Sequence, residues 1–247
     1  MFEQFNIEQV TKIAASAGEI IMRYRNTNQK IDIKEDNSPV TEADLAASHY
    51  IVSSLHTIAP NIPVVSEEEI IAQDKLGETF WLVDPIDGTK SFIRGSDEFT
   101  VNIALIHQNE PVLGVIYVPA TEILYYASQR AYKQVKRQKI DEIRTRPPNE
   151  ETVILLSRLS RNQEIHNLLA NYPNAKINAI SSSLKFCVIA EGNADLYPRF
   201  GPTKEWDTAA GHAILNAAGG SVRGLDTGPL FYGKANFENS YFIARGN

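Results

Sequence analysis

A short apolar run, Phe80-Trp81-Leu82-Val83, passes directly into Asp84-Pro85-Ile86-Asp87-Gly88-Thr89. So apolar a segment reads as a buried strand, which obliges the fold to bring a carboxylate to the end of a core element. Pro85 stiffens the exit, so that Asp87 can return to the same side of the turn. Gly88 lets the backbone approach a bound group closely, and Thr89 sets a hydroxyl beside it. Asp84 and Asp87, with the Ile86 carbonyl between them, make a hard-oxygen set suited to Mg²⁺. Backbone N–H groups around Gly88 and Thr89 can receive phosphate oxygens.

An isolated Asp-x-x-Asp-Gly string would read as a Pro-Gly turn with solvated aspartates. Here other acids sit in comparable places. The apolar segment 62–65 leads into Glu67 and Glu68, and Asp207 lies in Glu205-Trp206-Asp207-Thr208 at the start of a helix. A helix N-terminus favours a carboxylate, so Asp207 alone is also an ordinary first-turn acid. Asp36, in the polar stretch 34–40, fits either a turn residue or a catalytic group.

Residues 7–25 carry apolar side chains at helical spacing, with Asn6 as cap, Gln9 returning the capping-box bond and Phe5 stapled against Val10. A second helix starts at Thr41, with Asp44 as its capping partner and Val40 stapling Leu45, and stops before Pro60. Segments 99–106, 112–118 and 122–127 read as an antiparallel meander. The basic and polar stretch 133–150, with Pro147 and Pro148, is the expected lobe boundary. Beyond it, strands at 153–157, 176–180 and 194–198 alternate with helices near 161–171, 183–191 and 205–218, which suggests an α/β lobe. The expected division is thus 1–140, carrying most of the acids, and 141–247, carrying Asp207.

The formal net charge of −6 and the lack of long basic runs argue against a nucleic-acid polymer as partner. They do not argue against a small phosphorylated substrate, because carboxylates hold cations and cations hold phosphate. No apolar run reaches the roughly 20 residues of a membrane span, and the N-terminus lacks a signal-peptide pattern. The single Cys187 cannot form an internal disulfide, which fits a reducing cytoplasm. Cys187 itself reads as a core residue. The expected place of work is the cytoplasm, or the inner face of the cell membrane as a peripheral protein. Oligomeric state is not readable.

Taken together, the segment 84–89, the upstream Ser66-Glu67-Glu68 and the downstream Trp206-Asp207-Thr208-Ala209-Ala210-Gly211 resemble the lithium-sensitive, magnesium-dependent phosphatase superfamily that includes the inositol monophosphatases. All three motifs agree in order and spacing, and the resemblance covers nearly the whole chain. It implies a layered α-β-α-β-α sandwich of mixed α+β class. It also implies two or three Mg²⁺ ions held by Glu67, Asp84, the Ile86 carbonyl, Asp87 and Asp207. Asp36 and Thr89 would orient and activate the attacking water. Gly88, Thr89 and Asp207 would also face the substrate.

Four features are similar to the 3′(2′),5′-bisphosphate nucleotidase branch. They are Lys90 after Thr89, the loop 37–41, the run 181–187 with Ser182 and Lys185 in nucleotide-contacting positions, and Arg199, where inositol phosphatases usually carry a glutamate. Arg can hold a second phosphate that glutamate would repel. The implied reaction is adenosine 3′,5′-bisphosphate plus water giving AMP and phosphate. Two departures bear on substrate choice. Ser181 replaces a glycine of the branch, and the run 157–162 lacks a histidine found near the second phosphate in some relatives. The competing readings are an inositol monophosphatase-like or broad sugar-phosphate phosphatase, and a non-catalytic relative that binds RNA or a protein partner. The intact acids disfavour the last, because a binding module gains nothing from so much unpaired negative charge.

Overall fold

The computed structural model describes residues 7–147, 151–158, 162–225 and 228–247. The expected Asn6 cap and Phe5 staple lie outside these residues, as do Pro148–Glu150 of the expected boundary.

Helix α1 (Ile7–Tyr24) buries Val10, Ile13, Ala14, Ala17 and Ile21, the stripe its spacing predicted. Strands β1 (Ile31–Ile33) and β2 (Pro39–Thr41) form a small two-stranded sheet of their own on either side of the Asp36 turn. Helix α2 (Glu42–Ile58) is closed by the Thr41/Asp44 capping box. The expected Val40 staple is absent, since Leu45 is exposed.

Seven strands then form one sheet in simple sequence order. They are β3 (Val64–Ser66), β4 (Thr79–Asp87), β5 (Thr100–His107), β6 (Glu110–Val118), β7 (Ile123–Ala127), β8 (Ala131–Val135) and β9 (Ile140–Ile143). Only β3 and β4 are parallel; the rest is the expected meander. Strands β8 and β9 take up 133–135 and 140–143 of the expected boundary. They carry Lys133, Gln134, Asp141 and Glu142 and few buried residues, so the segment looks like a linker in sequence. Buried Ala131 and Ile143, and Tyr132 stacked on Tyr126, hold it to the sheet.

The other sheet runs in the order β11-β10-β12-β15-β13-β14. Its strands are β10 (Val153–Leu156), β11 (Lys176–Ala179), β12 (Leu196–Arg199), β13 (Ser221–Gly224), β14 (Gly228–Pro229) and β15 (Phe242–Arg245). Strands β10, β11 and β12 are parallel, as alternation with helices demands, and the remainder is antiparallel. Short helix α3 (Thr89–Ile93) follows β4, and α4 (Gln163–Leu169), α5 (Leu184–Ala190) and α6 (Ala209–Ala217) punctuate the second half.

Side-chain alternation sorts these elements into five layers. Trp81, Val83, Ile103, Leu105 and Val115 face α1 and α2. Their neighbours Phe80, Leu82, Ala104, Ile106 and Ile116 face the opposite way, into a core shared with α5, α6 and the second sheet. Ile154, Leu156 and Leu196 then face α4 on the outside. The result is the α-β-α-β-α sandwich. Gly114 on β6 lets α6 lie close, because a Cβ there would meet the Ala210 carbonyl at 2.4 Å. Among the described residues no helix is long and apolar enough to cross a membrane.

Candidate active site

The geometry of the site begins with a bulge. Asp84 pairs with Asn102 and Asp87 with Thr100, so three steps on β4 match two on β5. In a regular strand, residues three apart point to opposite faces. The extra residue cancels that parity, and both aspartates face the side shared by Thr100 and Asn102. Pro85 sits within the bulge, where its missing N–H costs no ladder bond. Gly88 then takes φ 97° and opens α3.

Glu67 arrives beside Asp84 because β3 runs parallel to β4, with Ser66 opposite Val83 and the Glu67 N–H donating to the Val83 carbonyl at 3.0 Å. Asp207 arrives from the far half of the molecule. It lies in a 3₁₀ turn, Glu205–Asp207, and not in the first turn of α6. Its Oδ2 accepts the Lys204 N–H at 2.9 Å. Buried Glu205 anchors this turn by accepting the Gly233 and Lys234 N–H groups and the Lys234 ammonium at 2.6–2.9 Å.

Burial pushes the Asp84 carboxyl well above its ordinary range, and Glu67, Asp87, Asp207 and Asp44 push it further. Asp207 is pushed up to about 8 by burial and then by Asp87. Asp87 is raised by burial, against the pull of Lys185 and of the Ser183 N–H. These carboxylates therefore feel one another's charge more than nearby cations offset it. Asp84 Oδ1 is buried with no hydrogen-bond partner. Lys34 Nζ supplies a local cation, bonding Glu67 and Glu68 at 2.8 Å each. Among the described residues, no three acidic, histidine or cysteine side chains already enclose a single point. The all-oxygen donors, their mutual repulsion and the orphaned Asp84 oxygen suit hard divalent cations.

One expectation needs correction. Asp36 does not pair with Thr89; its Oδ1 accepts the Ser38 N–H and hydroxyl within its own exposed turn. The carboxylate that meets Thr89 is Asp44. Thr89 Oγ1 lies 3.0 Å from Asp44 Oδ1 and 3.1 Å from the Ile86 carbonyl. Asp44 is buried, which raises its pKa despite bonds from Thr41 and Thr89. Its capping position was visible in sequence, but its contact with Thr89 was not.

A pocket beside these acids is lined by Asp87, Ser182, Lys185, Tyr197, Arg199 and Asp207, among others. Lys185 is buried and donates to the Ile180 and Ser182 carbonyls at 3.1 and 2.6 Å, with its ammonium 4.8 Å from the Tyr197 ring centre. Burial lowers its pKa to about 8, against the effect of Asp87. Arg199 donates to Ser157 Oγ at 3.0 Å and to the Pro202 carbonyl at 2.8 Å, while its Nε is buried without a partner. Lys90 is exposed and Cys187 is wholly buried in α5.

Comparison with known proteins places these features in a wider group. A 3′(2′),5′-bisphosphate nucleotidase CysQ of Salmonella typhimurium is 46% identical over 223 residues, covering 87% of this chain and 89% of that protein. The CysQ of Escherichia coli is 43% identical over 233 residues, covering 92% and 93%. The crystal structure of CysQ from Bacteroides thetaiotaomicron, a bacterial member of the inositol monophosphatase family, superposes with a TM-score of 0.86 at 37% identity, covering 99% and 98%. The profile of the inositol monophosphatase family matches residues 4–241, and with the acids assembled as described, the chain belongs to that family.

Proposed function

We propose that the chain is a magnesium-dependent 3′(2′),5′-bisphosphate nucleotidase, converting adenosine 3′,5′-bisphosphate and water to AMP and phosphate. The observation that carries this reading is one pocket lined both by the acids Asp87 and Asp207 and by the cations Lys185 and Arg199. A single phosphate ester needs only the acids and the cations they hold. A second anionic group needs the cations Lys185 and Arg199, and the Salmonella and Escherichia coli relatives are nucleotidases of this kind.

Glu67, Asp84, Asp87, Asp207 and the Ile86 carbonyl are the groups that would hold two or three Mg²⁺ ions. Bound magnesium would supply the charge that draws phosphate into an acidic site and acidifies a neighbouring water. Thr89 Oγ1 orients the attacking water, accepting its proton while passing its own to Asp44 Oδ1 over the 3.0 Å contact. Burial suits Asp44 to that task, because a raised carboxylate pKa makes a better base. In the same pocket, Lys185 and Arg199 orient the nucleotide by the phosphate that is not cleaved, and Ser182 borders the same space.

The test compares adenosine 3′,5′-bisphosphate with inositol monophosphate in wild type and Arg199→Glu at one Mg²⁺ concentration. Wild type should prefer the bisphosphate, be inhibited by Li⁺ and be inactive in excess chelator. Losing a charge-assisted contact costs roughly 1.5–3 kcal/mol, so Arg199→Glu should lower kcat/KM for the bisphosphate by about tenfold or more. The monophosphate should suffer much less. Equal losses would indicate a folding or metal-site defect. No loss would mean that Arg199 holds no phosphate and would favour an inositol-phosphate substrate.

A further inference from the structure

Ser182 stands in a backbone conformation that it would not keep unaided. Its φ is 58°, in the left-handed region that residues with a Cβ seldom occupy. The surrounding tethers hold it there. On its C-terminal side, the Ser183 N–H donates to Asp87 Oδ2 and the Ser183 hydroxyl donates to Asn102 Oδ1 at 2.8 Å. On its N-terminal side, the Ser181 N–H donates to Glu98 Oε2 at 2.9 Å. Between them, the Ser182 carbonyl accepts the Lys185 ammonium at 2.6 Å. The turn therefore sets both Ser182 and Lys185 on the pocket, and two carboxylates from the other half of the molecule set the turn.

Asp87 is already committed to the acidic site, but Glu98 is not. Its backbone lies under the bulge loop, where a Cβ on Gly88 would come within 3.0 Å of the Glu98 carbonyl. Its side chain reaches the Ser181 N–H and also clamps Arg158, at 2.6 and 3.2 Å. One residue thus touches the loop of Asp87 and Thr89, the turn of Ser182, and the guanidinium of Arg158. The guanidinium and the Ser181 N–H hold the Glu98 carboxyl below its usual range despite partial burial, as expected for a charged acceptor.

We propose that Glu98 is a positioning residue for substrate binding. Its carboxylate locks the Ser181–Ser183 turn in the left-handed form that presents Ser182 and Lys185 to the substrate. The proposal rests on the nucleotidase reading of this pocket and adds what sets the pocket's shape. It also gives Ser181 a role that needs no glycine, since the tether acts on its backbone N–H.

The variants separate the two contacts of Glu98. Glu98→Gln keeps an acceptor for the Ser181 N–H but discharges the clamp on Arg158. Glu98→Ala loses both, and Arg158→Gln loses only the guanidinium. Glu98→Ser, too short to reach Ser181, replaces the alanine variant if that one does not fold. Two measurements are made: amide hydrogen exchange at Ser181–Ser183 in substrate-free protein, and kinetics with adenosine 3′,5′-bisphosphate at saturating Mg²⁺. Loss of a bond to a charged acceptor should speed Ser181 exchange about tenfold and raise KM by a similar factor in Glu98→Ala. The change in kcat and in half-saturating Mg²⁺ should stay within about threefold. Glu98→Gln should restore more than half of both effects on a logarithmic scale, and Arg158→Gln should leave Ser181 exchange at the wild-type rate. Unchanged exchange in Glu98→Ala, equal effects of alanine and glutamine, or a fall in kcat with KM unmoved would overturn the proposal. If wild type does not hydrolyse the bisphosphate, the nucleotidase reading fails, and the exchange rates still decide whether Glu98 holds the turn.

Discussion

Asp44 uses its two oxygens for different purposes. Oδ2 accepts the Thr41 N–H and hydroxyl at 2.8 and 2.6 Å, closing the cap of α2, while Oδ1 meets the Thr89 hydroxyl. Asp44→Asn can preserve part of the cap but cannot take a proton. It should therefore reduce kcat by about 10²–10⁴ at saturating Mg²⁺, with a stability loss of no more than about 1 kcal/mol. Asp36→Asn should cost at least about tenfold less than this, since Asp36 is spent on Ser38. Steady-state kinetics paired with urea unfolding would decide, and a kcat near wild type in Asp44→Asn would remove it from the proton path. The same pair shows what sequence can disclose at this scale. Glu67, Asp84 and Asp87 were legible because short apolar strands run straight into them. Asp44 was legible only as a cap, since that local role accounts for it fully. The contact with Thr89, 45 residues away, is tertiary.

At the scale of elements, local chemistry foretold what local chemistry decides. The Thr41 cap, the antiparallel meander and the strand–helix alternation after 150 are all present. Strands β8 and β9 escape a sequence reading because charged and polar residues fill many of their positions, and only burial of Ala131 and Ile143 reveals them. Helix α6 was read as beginning at 205, but Thr208 at φ −121° separates a 3₁₀ turn from the helix proper. Placed in the middle layer, α6 buries His212, which bonds Tyr232 Oη at 2.9 Å. Burial lowers the His212 pKa from 6.5 to about 3. The unfolded chain therefore binds a proton in a window where the folded chain does not. This contribution to stability is complete above about pH 6.5 and falls with pH towards about 3, by about 1.4 kcal/mol per unit. Urea unfolding of wild type and His212→Asn should show wild type losing about 2 kcal/mol more between pH 6.5 and 5. Parallel pH dependences in the two proteins would assign the acid sensitivity to other groups.

For the molecule as a whole, the acids gather at a junction that folding creates. Glu67, Asp84 and Asp87 come from the seven-stranded sheet, Asp207 from the turn before α6, and the two halves share one continuous core. The unfolded chain scatters these carboxylates and has no comparable metal site, so Mg²⁺ should bind the folded state preferentially. Binding at about 100 times the dissociation constant stabilises by about 2.7 kcal/mol. For a chain of this size that is a rise in Tm of roughly 5–10 °C. Asp87→Asn separates capture of the metal from the cost of assembling its site. Burial holds the aspartate above its ordinary pKa, so its charge costs the folded protein stability, and the amide oxygen can still accept the Ser183 N–H. In chelator, the variant should melt at the wild-type temperature or higher, because repulsion on Asp84 and Asp207 is relieved. Across a Mg²⁺ titration its Tm should respond weakly and its turnover should be lost. Calorimetry of both proteins, with and without Mg²⁺, measures the two effects independently of catalysis. A wild-type Tm indifferent to Mg²⁺, or a variant that gains as much as wild type, would mean that Asp87 does not hold the metal.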